Sequence, residues 1–212
     1  LEVVRLLLTD PRVDPSDCFI RPIGWASSNG HLEVVRLLLT DARVDPSDKS
    51  NEAIRWASEK GHLEVVRLLL TDPRVDPSDW SNEAIGWASY NGHLEVVRLL
   101  LTDPRVDPSD RSNEAIRCAS YNGQLEVIGL LLTDARVDPS DRSNEAIRCA
   151  SEKGHLEVVR LLLLHIDKTK LKKTPELSKI WNEIVTEKVE CQKKIKALSI
   201  ILPEDICKLI VQ

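Results

Sequence analysis

Four histidines, His31, His62, His93 and His155, are the first residues in the sequence able to bind a metal or move a proton. Each follows a glycine, and they stand 31 residues apart or at twice that spacing. A zinc ion draws its ligand atoms to about 2 Å, and residues supplied once per structural unit do not converge on one ion. The spacing predicts structural histidines and no metal site, and His165 stands alone with nothing attached to it. Carboxylates recur in the same way, as in the "DPSD" that contains Asp76 and Asp79. Calcium takes about 6–8 converging oxygens, whereas prolines with turn-capping aspartates account for this motif without one.

The five cysteines, Cys18, Cys118, Cys149, Cys191 and Cys207, are odd in number and lack a disulfide-framework spacing. Cys118 and Cys149 occupy the same place in successive units. Packed helices lie about 8–10 Å apart, beyond the roughly 7 Å between Cα atoms that a bridge tolerates. All five are expected as reduced thiols, which suits the cytoplasm or nucleus. The sequence carries no glycine-rich phosphate loop, nucleophile elbow or Cys–His arrangement. It therefore predicts no catalytic residues, no cofactor and no enzyme.

The elements that hold these residues form a repeat. "LEVV" begins at Leu1, Leu32, Leu63, Leu94 and Leu156, with "LEVI" at Leu125, always in a 31-residue register. A fixed period of this kind marks a solenoid, in which each unit buries its apolar face against its neighbours. In residues 45–75, "DPSDKSNEAIRWASEKGHLEVVRLLLTDPRV", the residues Ala53, Ile54, Ala57 and Ser58 share one helical face. Leu63, Val65, Val66, Leu68, Leu69 and Leu70 make a second helix that is apolar around most of its circumference. Gly61 separates the two, and Pro73, Pro77 and the aspartates supply the connecting turns. The chain opens on the second half of a unit and contains no Met. We expect it to be a piece of a longer protein.

"GHLEVVRLLL", at residues 30–39, 61–70, 92–101 and 154–163, closely resembles the most recognisable segment of the ankyrin repeat. The resemblance covers residues 1–164: half a repeat, then five repeats starting at Asp14, Asp45, Asp76, Asp107 and Asp138. It implies an all-α solenoid of stacked helix-turn-helix units with short β-turn fingers and a helical C-terminal cap. The period of 31 rather than about 33 places the missing residues in a shortened finger. The family's T-P-L-H is E-A-I-R here, as in Glu52-Ala53-Ile54-Arg55, and only Pro22 keeps the proline. Loss of that Thr and His is expected to remove the hydrogen bonds that tie neighbouring loops. Ser50 or Asn51 is expected to cap the helix instead, with Glu52 at the positive end of its dipole. The histidines after each glycine match the family's structural His.

Variation is confined to a few columns. After each second Asp of "DPSD" come Cys18, Lys49, Trp80, Arg111 and Arg142. Before each glycine come Ser28-Asn29, Glu59-Lys60, Tyr90-Asn91, Tyr121-Asn122 and Glu152-Lys153. The ankyrin resemblance implies that both columns face the concave side, where such arrays bind proteins. Aromatic residues beside arginine are typical binding hot spots. Trp80, Tyr90, Tyr121, Arg111 and Arg117 are the expected anchors, with Lys49, Arg142, Glu59 and Lys60 on the rim and Asn91 and Asn122 between them. An alternative stacks Trp80 over the space left at Gly86. Trp25, Trp56 and Trp87 recur in register and read as packing between repeats, with Cys118 and Cys149 filling that slot later.

From His165 the pattern breaks. Residues 165–212 read as a polar linker and a helical segment, with "TPEL" as N-cap and first-turn proline. Leu177, Ile180, Trp181, Ile184, Val185 and Val189 make a stripe suited to capping the array. Near the end, Leu202, Pro203, Ile206 and Ile210 resemble the opening of an F-box, with Asp205 where Glu is usual. Arrays ending this way resemble ankyrin proteins of large DNA viruses whose tails engage the Skp-type subunit of cullin ubiquitin ligases. That resemblance implies a virus-infected host cell and a Skp-type partner. A purely architectural role in an assembly is the third alternative.

Charge narrows the partner. Residues 1–164 hold 19 basic and 27 acidic residues, a balance of −8. Nucleic-acid affinity comes from lysines and arginines that displace counterions, so the array is expected to bind protein and not nucleic acid. No apolar run approaches the ~20 residues a membrane helix needs, and no membrane partner is expected.

Overall fold

In each "GHLEVVRLLL" the backbone has to reverse within a few residues, and the glycine makes that possible. Gly30 and Gly61 adopt φ of 69° and 75°, a left-handed conformation that side chains resist. The ring of His62 also lies directly against Gly30: a Cβ there would sit 2.6 Å from Nδ1. The computed structural model describes residues 1–16 and 21–166. The chain divides into two units, Leu1–Ile166 and Asp167–Gln212, and all the described helices belong to the first.

After the half-repeat helix α1 (Glu2–Thr9), the helices run in pairs. They are α2 (Pro22–Ser28) and α3 (Leu32–Leu39), α4 (Asp48–Glu59) and α5 (Leu63–Leu69), then α6 (Asp79–Asn91) and α7 (Leu94–Leu100). The series ends with α8 (Asp110–Tyr121) and α9 (Leu125–Leu131), and α10 (Asp141–Glu152) and α11 (Leu156–His165). Each first helix packs on the first helices of its neighbours, forming the row α2-α4-α6-α8-α10. The second helices form a parallel row, α3-α5-α7-α9-α11. No strand occurs among the described residues, so the fingers are tight turns. This is the all-α solenoid expected from the repeat.

The core lies between the two rows and repeats with the sequence. Ala53, Ile54 and Ala57 of α4 meet Val65, Val66 and Leu69 of α5, and all six are buried. Their counterparts Ala84, Ile85, Ala88, Val96, Val97 and Leu100 are buried one repeat later. Alanines let the first helices approach closely, while each fully buried aliphatic side chain contributes roughly 1.5–3 kcal/mol.

In α4, α6, α8 and α10 the first residues are separated from the regular helix by a kink of three consecutive left-handed residues. They are Lys49-Ser50-Asn51, Trp80-Ser81-Asn82, Arg111-Ser112-Asn113 and Arg142-Ser143-Asn144, with φ between 45° and 65°. Such residues cost roughly 1–2 kcal/mol each, so something must hold them. The asparagine supplies part of that: Asn51 Nδ2 donates to Asp79 Oδ2 at 3.0 Å, and its Oδ1 accepts the Asp76 amide at 2.8 Å. Asn82 makes the same two bonds to Asp110 and Asp107, and Asn113 makes them to Asp141 and Asp138.

Two expectations are thereby corrected. Asn51 is not a helix cap, because its side chain reaches into the next repeat, and α4 carries no side-chain cap bond at its N-cap residue Ser47. Nor are neighbouring loops left untied by the change from T-P-L-H to E-A-I-R, since asparagine ties them instead.

Two further ladders join the repeats. His62 Nε2 donates to the Ser28 carbonyl at 3.0 Å, His93 to Glu59 at 2.9 Å and His155 to Tyr121 at 3.2 Å. Where the histidine is replaced, Gln124 Nε2 donates to the Tyr90 carbonyl at 3.3 Å. In the fingers, Arg74 donates to the Val44 carbonyl at 3.1 Å and Arg105 to Val75 at 2.9 Å. Asp72 and Asp103 orient those guanidiniums, each at 2.7 Å. Hydrogen bonding from Arg74 and Arg105 holds both carboxyls below their ordinary range.

Candidate protein-interaction face

The first-helix row and the left-handed turns before it place the variable columns side by side. Trp80 is 54% exposed on its turn, and the Arg55 guanidinium lies 4.9 Å from its ring centre. Its stacking partner is therefore Arg55 of the preceding repeat, not the space at Gly86. Tyr90 is half-buried with its ring edge-on to Trp87 at 5.7 Å. Tyr121 is 41% exposed, and Lys153 Nζ sits 4.3 Å from its ring centre. Asn91 and Asn122 turn their amides back to the Trp87 and Cys118 carbonyls at 3.0 and 3.4 Å. Lys49, Arg111 and Arg142 are exposed, and Glu59 pairs with Lys60 at 2.9 Å.

The tryptophan column does not behave as packing alone. Trp25 and Trp56 do meet between repeats, edge to face at 5.8 Å. Trp25 is nonetheless 57% exposed and Trp87 40%. Trp56 between them is half-buried, and the exposure of Trp87 places it with the candidate face. Farther along, the column holds the free thiols Cys118 and Cys149. Burial pushes the Cys118 thiol up to about 11, and Cys149, less buried, is raised for the same reason.

Arginine and glutamate interlock across this face. Arg55 pairs with Glu83 of the next repeat, and Arg117 pairs with Glu145 at 2.7 Å. Each also donates to a carbonyl of its own turn: Arg55 to Lys49 O at 3.2 Å, Arg117 to Arg111 O at 3.4 Å. Arg117 is thus committed inside the array rather than displayed with Arg111. At the first interface the register residue is Gly24, and Arg21 takes over, reaching Glu52 at 2.6 Å. At the third interface it is Gly86, and Glu114 meets only Arg111 of its own turn at 3.4 Å among the described residues. A cleft of about 320 Å³ opens there, lined by Glu83, Gly86, Trp87, Tyr90, Arg111, Glu114 and Cys118. Trp87 and Glu114 are site residues that the sequence reading does not single out. Gly24, Arg55, Gly86, Arg117 and Arg148 succeed one another at one place in the repeat, but what that alternation means depends on a glutamate 28 residues away.

Among the described residues no group of histidine, cysteine and carboxylate side chains could hold a metal. No helix among them is long and apolar enough to cross a membrane. The F-box-like positions Leu202, Pro203, Ile206 and Ile210, the helical cap and Cys18, Cys191 and Cys207 lie outside the described residues.

Stacked helical pairs, a structural His or Gln after each glycine and a variable first-helix face define a repeat-built interaction scaffold. The family description "Ankyrin repeats (3 copies)" matches residues 1–79 and 85–174, well over half of the chain, and the chain belongs to the ankyrin-repeat family. No curated protein matches it.

Proposed function

We propose that the array is a non-catalytic module that binds a partner protein across the first helices and turns of repeats two to five. The observation that carries this reading is the exposure of Trp80, Trp87 and Tyr121 on one face, beside Arg111, Arg142 and Lys49. Large aromatic surface left in solvent next to cations is the composition of binding hot spots. The family supports a protein partner, and the −8 balance of the array disfavours nucleic acid. The free thiols Cys118 and Cys149 favour a reducing compartment, cytoplasm or nucleus.

The test is affinity capture with the full chain followed by quantitation of each bound protein. Replacing Trp80, Tyr90 and Tyr121 together by alanine is expected to lower the partner's affinity by two orders of magnitude or more, since hot-spot truncations cost about 2 kcal/mol or more each. Unchanged affinity would refute the proposed face.

The sequence of Leu202, Pro203, Ile206 and Ile210 favours a second reading, in which the array selects a substrate and the tail recruits a Skp-type ligase subunit. Co-purification of that subunit, lost on deletion of residues 202–212, supports it. No co-purification from the intact protein rules it out.

A further inference from the structure

The four complete interfaces along the first-helix row share one slot. Into it, three times out of four, an arginine of the preceding repeat enters and meets a glutamate of the next: Arg21 on Glu52, Arg55 on Glu83, Arg117 on Glu145. The remaining slot, at the third interface between the repeats that begin at Asp76 and Asp107, has Gly86 where Arg55 and Arg117 stand. The position of Arg21 in that repeat is taken by Glu83, itself engaged by Arg55. The slot is therefore open, and a Cβ built on Gly86 would meet nothing within 4 Å.

We propose that this slot binds an arginine side chain of a partner protein, which takes the place of the arginine missing at position 86. The proposal deepens the protein-binding reading above and rests on it. The two neighbouring slots are the template. In each, the guanidinium bridges a glutamate across the interface and the carbonyl of a turn residue six positions earlier in its own repeat. At the open slot the glutamate is Glu114, and the register counterpart of those carbonyls is that of Trp80.

Arg111 does not fill the slot. In the next repeat its counterpart Arg142 stands 3.9 Å from Glu145 while Arg117 occupies the slot at 2.7 Å, so one glutamate has room for two arginines. The walls favour the same guest. Trp87 and Tyr90 line the cleft, and arginine already stacks on tryptophan twice in this array, Arg21 on Trp56 at 5.7 Å and Arg55 on Trp80 at 4.9 Å. A volume of about 320 Å³ lies at the small end of the roughly 300–1,000 Å³ of ligand pockets, suited to one long side chain. Guanidinium is preferred over ammonium because its planar fork addresses a carboxylate and a second acceptor together.

The full chain, isotopically labelled, is titrated with the pentapeptide Ac-GGRGG-NH2 while the Gly86 amide and the Trp87 indole N–H are followed by NMR. Saturable shifts are expected at both, reduced by added salt. The citrulline counterpart loses the charge and should bind about tenfold more weakly or worse, since charge-assisted hydrogen bonds are about twice as strong as neutral ones. The lysine counterpart is expected to bind more weakly than the arginine peptide. Gly86→Arg fills the slot from within and should abolish the response, whereas Gly86→Ala should keep it. Glu114→Gln should weaken binding about tenfold, the scale of one hydrogen bond to a charged group.

Absence of saturable shifts overturns the proposal. So does an equal response to the lysine or citrulline peptide, or a response that survives Gly86→Arg. Any of these leaves the wider reading of the face standing. If the triple alanine variant loses its captured partner while Gly86→Arg keeps it at full affinity, the slot alone is refuted.

Discussion

The two helix rows of this array carry different kinds of information. In the second row, "LEVVRLL" of α5 and α7 is the same string, and α9 differs only at Ile128 and Gly129. In the first row and its turns, Lys49, Trp80, Arg111 and Arg142 succeed one another at one place. A second helix buries Val65, Val66 and Leu69 toward its neighbours, so almost any change there disturbs packing in two directions. A first helix buries only its Ala-Ile-Ala side. On its other side, the first residue of the left-handed turn and the positions before the glycine vary from repeat to repeat.

The comparison is broken most severely by treating the rows alike. Replacing Ile116, fully buried in α8, by alanine should cost about 2–5 kcal/mol, read as a drop in the urea midpoint. Replacing Trp87 in the same row should cost less than about 1 kcal/mol, because 40% of it is already in solvent. If the two losses were equal, the division of each first helix into a core side and a display side would be wrong.

Next in size is the asparagine ladder, which joins the display turns to the stack. Asn82→Ala leaves the Asp107 amide and Asp110 without their partners, at an expected cost of about 1–3 kcal/mol. Ser81→Ala, one residue earlier and exposed, should be near neutral. Equal and small effects for both would show that the left-handed turns are held by something other than asparagine.

How much of this was legible in the sequence follows the same division. The leucine register and the Ala-Ile-Ala side are periodic, and periodicity reports burial directly, so the solenoid could be read without coordinates. Asn51 is not legible in this way, because an asparagine near a helix start looks alike whether it caps that helix or reaches forward. Of the three left-handed residues that aim it forward, the first is lysine, tryptophan or arginine and marks no conformation, and the recurring Ser-Asn is equally at home in a helix cap. Arg117 reads as displayed for a related reason. Its partner Glu145 is distant in sequence and becomes a neighbour only through the stacking of two repeats. Trp87, conversely, reads as packing because recurrence in register signals position but not exposure.

The turns carry an acid-sensitive contribution, because arginines hold their carboxyls low. Hydrogen bonding from Arg43 holds Asp41 at about 2. Asp72, Asp103 and Asp134 are lowered from 3.8 by their own arginines. A carboxyl lower in the folded state than in the unfolded chain contributes stability above the unfolded value and loses it as pH falls toward the folded one. Stability is therefore expected to hold from neutral pH to about 4 and to decline below it. Replacing Asp72, Asp103 and Asp134 together by asparagine should flatten that decline, measured as melting temperature against pH. A decline of the same slope in the triple variant would move the acid sensitivity elsewhere.

The smallest effect sits where the tryptophan column ends. Cys118 and Cys149 occupy equivalent places, yet Cys118 is the more strongly shielded, its thiol raised to about 11 by burial while that of Cys149 is raised less. Alkylation proceeds through the thiolate, so at pH 8 iodoacetamide should modify Cys149 faster than Cys118, and both more slowly than in urea-unfolded chain. Mass spectrometry of the two cysteine peptides against time measures the order. Equal rates in the native protein would mean that the column is as open at the fourth repeat as at the fifth, and that one wall of the cleft beside Gly86 is not the buried thiol described above.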